Sequence, residues 1–219
     1  MSKNMNVFVK LTSIILIILL FYHFNNELML CEQYDNSSYN FRKAVEYSNR
    51  YFMASNSDYL YFETNCTNFV SQCLVAGGIE PDFVDIDLGE DEFLKLIATN
   101  EKWYCKSYHF SDDKPDSFLI STSFIRVNDF IKYWEKTKNV RVDYYDLTEE
   151  NIKKAEKQTH AGDVIAIFST SDKTDHLAIV SDVNGFGIYY NSNTLNRKEY
   201  NLRYVSKNEY CRFAIMHFV

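Results

Sequence analysis

The chain has 219 residues, 46% of them hydrophobic and 24% charged, with only two prolines, which is enough apolar material for one substantial core. A net charge of −7 and a pI near 5.3 set nucleic-acid binding aside, because no surplus of Lys and Arg exists to neutralise phosphates.

Residues 1–24 differ in kind from the rest. Lys3 and Lys10 precede an apolar run from Leu11 to Phe24, whose 14 residues would rise about 21 Å as a helix, against a hydrocarbon core of about 30 Å. That length suits a signal-peptide core. An uncleaved anchor from Val7 to Phe24 is the alternative, and either implies an extracellular or cell-surface protein that meets the membrane only through this segment. Residues 25–38 are polar and read as a linker, which leaves 39–219 for the folded domain.

From Tyr39 to Phe52, the residues Phe41, Ala44, Val45, Ser48 and Phe52 fall on one helical face, and Asn56-Ser57-Asp58 ends the element. A second helix opens at Cys66, with Phe69, Val70, Cys73, Leu74 and Ala76 at helical spacing and Gly77-Gly78 as its stop. Thr64 or Asn65 is placed to cap it, so Cys66 occupies the first turn. There the helix dipole and free N–H groups favour an anion, which biases the thiol toward the thiolate.

The stretch from Glu80 to His160 is read as peripheral to the main sheet and as one wall of a cleft. Helices are expected over Glu90–Ala98, Asn128–Thr137 and Thr148–Gln158, and Trp103, Tyr104, Phe118 and Phe124 are expected in the core. After Gly162 the text becomes that of strands: Asp163–Phe168, His176–Asp182, Gly187–Asn193 and Arg212–Phe218, with Val183-Asn184-Gly185 as a hairpin signal. Amino-terminal helices packed on a carboxy-terminal antiparallel sheet make an α+β architecture.

Five cysteines are an odd number, so at least one thiol lies outside any bridge. Cys66 and Cys73 on one helix would stand about 10 Å apart, beyond bridging distance. Cys73 then reads as core, and a Cys105–Cys211 bridge is open. No Cys or His spacing suits a metal, and no cofactor is expected.

A Cys at a helix start and a His opening a later strand are the parts of a cysteine hydrolase: the thiolate attacks a carbonyl, and the imidazole moves the proton. Cys66 is the nucleophile candidate and His176 the base. Asn193 or Asn191, two residues apart on the next strand, can orient the ring. The Cys66 N–H with Asn65 can supply oxyanion donors, and Gln72 in the same block is a supporting candidate. His109, His160 and His217 are assigned structural places.

Four blocks carry a resemblance: Tyr39 to Tyr47, Cys66-Thr67-Asn68-Phe69-Val70-Ser71-Gln72-Cys73-Leu74 with Gly77-Gly78, Gly162-Asp163-Val164-Ile165, and Asp175-His176-Leu177-Ala178-Ile179-Val180. Together they closely resemble the bacterial putative amidase domain family, which is similar to papain-like hydrolases, with NlpC-type cell-wall peptidases and CHAP amidases as distant kin. The resemblance implies a papain-like fold with Cys66 as nucleophile and His176 as base. Two positions depart from the family pattern: Asn65 stands where Asp is usual, and Asn193-Thr194 where His-Thr is usual, which gives Asn193 the orienting place. The expected activity is that of an exported cysteine amidase or peptidase acting on a peptide or peptidoglycan-like amide through a thioester. A non-catalytic surface binding module and an acyl transferase are its rivals. Oligomeric state is not read from the sequence.

Overall fold

In the computed structural model, residues 39–218 are described, apart from 87, 90–91, 113–115 and 171–174. The expected leader and linker lie outside the described residues, and among those residues no helix is long and apolar enough to cross a membrane. Helix α1 runs Phe41–Tyr51, with the Asn40 side chain accepting from the Lys43 N–H at its start. Helix α2 runs Cys66–Ala76 and is buried from Cys66 through Leu74. The two pack together: Asn40 N–H donates to the Gly77 carbonyl at 2.7 Å, and Tyr47 Oη donates to Gln72 Oε1 at 2.7 Å.

The middle of the chain builds a small sheet of its own. Strands β1 (Leu94–Ile97) and β2 (Cys105–Tyr108) flank β3 (Ser117–Ser121), β1 parallel to it and β2 antiparallel. The helix expected over Glu90–Ala98 is therefore corrected: its described portion contains a strand. Phe93, Leu94 and Ile97 mimic helical spacing, but pairing with β3 decides the conformation. Short helices α3 (Thr122–Ile125) and α4 (Val127–Lys132) follow, and a π-helical turn over Tyr133–Thr137 extends α4 through the expected span. Trp103, Tyr104, Phe118 and Phe124 are buried as expected. Trp103 Nε1 donates to Ser71 Oγ, which donates to the Phe124 carbonyl, so this layer is bonded directly to α2.

The main sheet has six antiparallel strands in the order β4-β9-β5-β6-β7-β8, formed by Arg141–Asp146 (β4), Val164–Ser169 (β5), His176–Asn184 (β6), Gly187–Ser192 (β7), Arg197–Asn201 (β8) and Tyr210–His217 (β9). Helix α5, Glu149–Glu156, is capped by the Thr148 hydroxyl. Alternation sorts the strands between two cores. Val164, Ala166, Leu177, Ile179, Ala214 and Met216 pack with α1, α2 and the Trp103 layer, while Ile165, Ile167, Ala178, Val180, Phe213 and Ile215 pack with Ile152 and Ala155 of α5. The architecture is α+β, with the Cys66 helix laid on the carboxy-terminal sheet.

Two glycines make the helix–sheet junction possible. Gly162 has φ +94°, and a Cβ there would collide with Phe41 Cβ; Gly77 leaves room for the Tyr39 ring. Tyr39 Oη in turn donates to the Gly162 carbonyl at 2.7 Å.

Candidate active site

Cys66 is the first residue of α2, and its position is fixed from three directions. Asn65 precedes it at φ −103°, ψ 4°, and its backbone N–H donates to Thr194 Oγ1 at 2.8 Å. Asn65 Nδ2 donates to Asn193 Oδ1 at 3.3 Å, and Asn65 Oδ1 accepts from Asn68 Nδ2 at 2.8 Å and from the Phe62 N–H at 3.3 Å. The expected capping bond is thus corrected: the Asn65 side chain bonds the preceding loop and the β7 end instead of a free helical N–H. One of the two Nδ2 hydrogens of Asn65 is thus given to Asn193. Thr194 stands at φ +80°, an uncommon conformation for a β-branched residue, and its own N–H donates to Asn193 Oδ1 at 2.9 Å. Thr194 keeps the Thr of the His-Thr pair usual in the family pattern, although the sequence alone assigns it no role.

Cys66 is 5% exposed, yet it lines an open pocket of about 450 Å³ with Thr64, Thr67, Arg126, Asp129, Lys132 and Asp175 among its walls. The α4 side of this pocket is the wall expected from the middle segment, although its charged residues were not singled out. The Cys66 sulfur lies 3.9 Å from Thr67 Oγ1. Burial pushes the thiol pKa up, and hydrogen bonding from the Leu177 backbone and from Thr67 offsets only part of that. The expected thiolate bias is corrected accordingly: loss of solvation outweighs the helix terminus.

The Leu177 amide that the sulfur senses belongs to the residue after His176, so the fold brings the two predicted groups to one end of β6. They share no hydrogen bond. His176 pairs with Ile167 and by alternation falls on the side of Ala178 and Val180, whereas Leu177 packs beneath α2. The ring is 5% exposed, and its Nε2 is buried without a partner. Burial pushes its pKa down to about 4, and the positive charge of Arg197 adds in the same direction.

The other candidates lie elsewhere. Asn193 Nδ2 donates to the Tyr51, Phe52 and Ala54 carbonyls at the end of α1. Asn191 donates to Ser48 Oγ and Asn49 Oδ1 and accepts from the Glu199 N–H. Gln72, six residues beyond Cys66 on α2, accepts from Tyr47 and does not line the pocket. His217 sits between Asp143 at 3.1 Å and Asp163 at 3.3 Å, and His109 between Asp112 and Asp116, both with clear structural partners. Cys105 and Cys211 are free thiols, so the open bridge is not formed. Among the described residues, no cluster of His, Cys, Asp or Glu is arranged to hold a metal ion.

A cysteine-led helix seated on an antiparallel sheet, with Cys66 in the lining of a polar pocket, defines an α+β protein. Over residues 38–216 the chain matches the family model described as a putative amidase domain, and it belongs to that family of amidase-like hydrolases. No curated protein and no solved structure gives a match.

Proposed function

We propose that the protein is an exported cysteine amidase or peptidase of papain-like type that cleaves an amide bond in a cell-wall peptide. The observation that carries this reading is the setting of Cys66: first residue of a buried helix, in the lining of a polar pocket, its sulfur near the backbone of Leu177, which follows His176 at the head of β6. The neutral imidazole takes the thiol proton as sulfur attacks the carbonyl carbon, then returns it to the departing amine. Water hydrolyses the resulting thioester and restores the thiol. For this the His176 ring turns toward Cys66 when substrate fills the pocket. Arg126, Lys132, Asp129 and Asp175 give the pocket polar, mixed-charge walls suited to a peptide rather than a lipid. Export is proposed from the apolar run Leu11–Phe24 behind Lys3 and Lys10, and the cell-wall substrate from that destination together with the family resemblance.

The test is hydrolysis of purified muropeptides by the full chain and by Cys66→Ala, with new amino groups followed by mass spectrometry. The parent is expected to release a product that the variant, folded to the same melting temperature, does not. Turnover retained by Cys66→Ala would rule out covalent catalysis through this thiol, and no turnover by the parent would leave a binding module.

A further inference from the structure

The imidazole proposed as base lacks a group to hold it, and both asparagines that the sequence offers for that task are engaged. Asn191 gives its amide hydrogens to Ser48 and Asn49 and its oxygen to the Glu199 N–H. Asn193 gives its amide hydrogens to three carbonyls at the end of α1 and its oxygen to Asn65 and Thr194. Both are thereby turned to the α1 side of the sheet. Ser192 lies between them, so strand alternation turns it to the opposite side. That is the side of Tyr190, Val180 and Ala178, and the side to which register with Ile167 assigns His176.

Two polar atoms on this face lack partners. Ser192 is fully buried and its Oγ has no hydrogen bond, and the same is true of Nε2 on the nearly buried His176. Extending the Ile179–Asn191 register by one residue sets Ser192 across from Ala178 and diagonal to His176, a separation that a histidine side chain can span. Arg197 supplies an independent marker of proximity: it pairs with Ser192 across β7 and β8, and its charge is felt at His176.

We propose that Ser192, rather than either asparagine, is the positioning residue for His176, its Oγ accepting a hydrogen bond from the imidazole Nε2–H so that Nδ1 is presented to Cys66. This rests on the reading of Cys66 and His176 as nucleophile and base. When the thiol proton moves to Nδ1, the ring carries hydrogens on both nitrogens and the Nε2–H bond to Ser192 strengthens. When Nδ1 yields its proton to the leaving amine, the ring returns to the neutral Nε2–H form. Each orphaned atom forfeits solvation while alone, so their pairing is favourable.

The test uses the full chain with Ser192→Ala and Ser192→Thr, read by muropeptide hydrolysis, by thermal unfolding, and by NMR titration of the His176 ring nitrogens. Ser192→Ala is expected to lower kcat about tenfold or more, a part of the 10²–10⁴ that a positioned general base contributes. It removes an acceptor that favours the imidazolium, so the acid limb of the kcat/KM profile and the His176 titration both move to lower pH. Thermal unfolding checks that the variant is folded, while the pH profile and the His176 titration, which a merely structural serine would leave unmoved, carry the decision. Ser192→Thr, which keeps the hydroxyl, restores most of the rate. Unchanged kcat and pH profile in Ser192→Ala, alongside Cys66-dependent turnover in the parent, would overturn the proposal. If the parent shows no such turnover, the functional reading fails by itself. The His176 titration then still decides the contact: a shift in Ser192→Ala supports it, and coincident curves refute it.

Discussion

Lowering the pH should destabilise this protein through a single buried imidazole, and the effect can be sized. In the unfolded chain His176 binds a proton near pH 6.5, whereas in the fold burial and Arg197 delay protonation to about pH 4. Between those values the unfolded state holds more protons, so stability falls as pH drops through the window, and above about pH 7 this group contributes no pH dependence. At 1.36 kcal/mol per pKa unit the loss from pH 7 to pH 4 is about 3 kcal/mol, with roughly half gone by pH 5.5. That is a large share of the roughly 5–15 kcal/mol typical of a domain. Urea unfolding of the parent and of His176→Gln, followed through the buried Trp103 and Trp134, isolates the term, since the other titrating groups are common to both and cancel. The parent should lose about 3 kcal/mol more than the variant between pH 7 and pH 4. Parallel stability curves for the two proteins would show that His176 titrates as an exposed histidine does, and would refute the burial argument.

Two further outcomes follow from the same structure. Iodoacetamide should modify the exposed Cys211 faster than Cys66 at neutral pH, and the Cys66 rate should climb only above the ordinary thiol range near 8.5, because burial holds that proton in place; peptide mapping that found Cys66 the faster at pH 7 would contradict it. Gly162→Ala combines a φ of +94° with a Cβ driven against Phe41, and should cost roughly 2–4 kcal/mol in urea unfolding. A loss below about 0.5 kcal/mol, the usual range for a surface change, would mean that the junction gives way easily.

What the sequence made legible follows the strength of its periodicities. The runs from Asp163 to Phe168 and from Arg212 to Phe218 alternate around a buried sheet, and strands β5 and β9 lie within one or two residues of them. The helix of Cys66 was legible because apolar residues and the glycine stop agree. Strand β8, Arg197-Lys198-Glu199-Tyr200-Asn201, carries almost no apolar signal because it is an edge strand, and edges are kept polar. Strand β1 depends on pairing with β3, more than twenty residues away, a term that local pattern does not contain. The places of Cys66 at the head of α2 and His176 at the head of β6 were legible from local pattern. The partners of Asn65, Asn191 and Asn193 were not, because a side-chain amide serves equally well as orienter or as a clasp on backbone carbonyls, and only the third dimension chooses.

The electrostatics of the resting site then bear on how the proposed chemistry is controlled. A helix terminus favours an adjacent anion by about 0.3–1 kcal/mol, and up to about 2 in partly buried geometry, while burying an unpaired charge costs several. For Cys66 the second effect wins, and His176 is displaced the opposite way, so burial favours the neutral form of each group and opposes an ion pair between them. On the proposed mechanism, proton transfer within the empty pocket therefore runs uphill, and the groups that reverse this must arrive with the substrate or move when it binds. A carbonyl polarised by the Cys66 N–H accepts the sulfur electrons as the proton leaves, and a hydroxyl under Nε2 steadies the ring that receives it. Ionisation is thereby tied to occupancy. On that mechanism the Cys66 thiol of an empty site reacts only slowly with alkylating agents at neutral pH, because burial holds its proton in place.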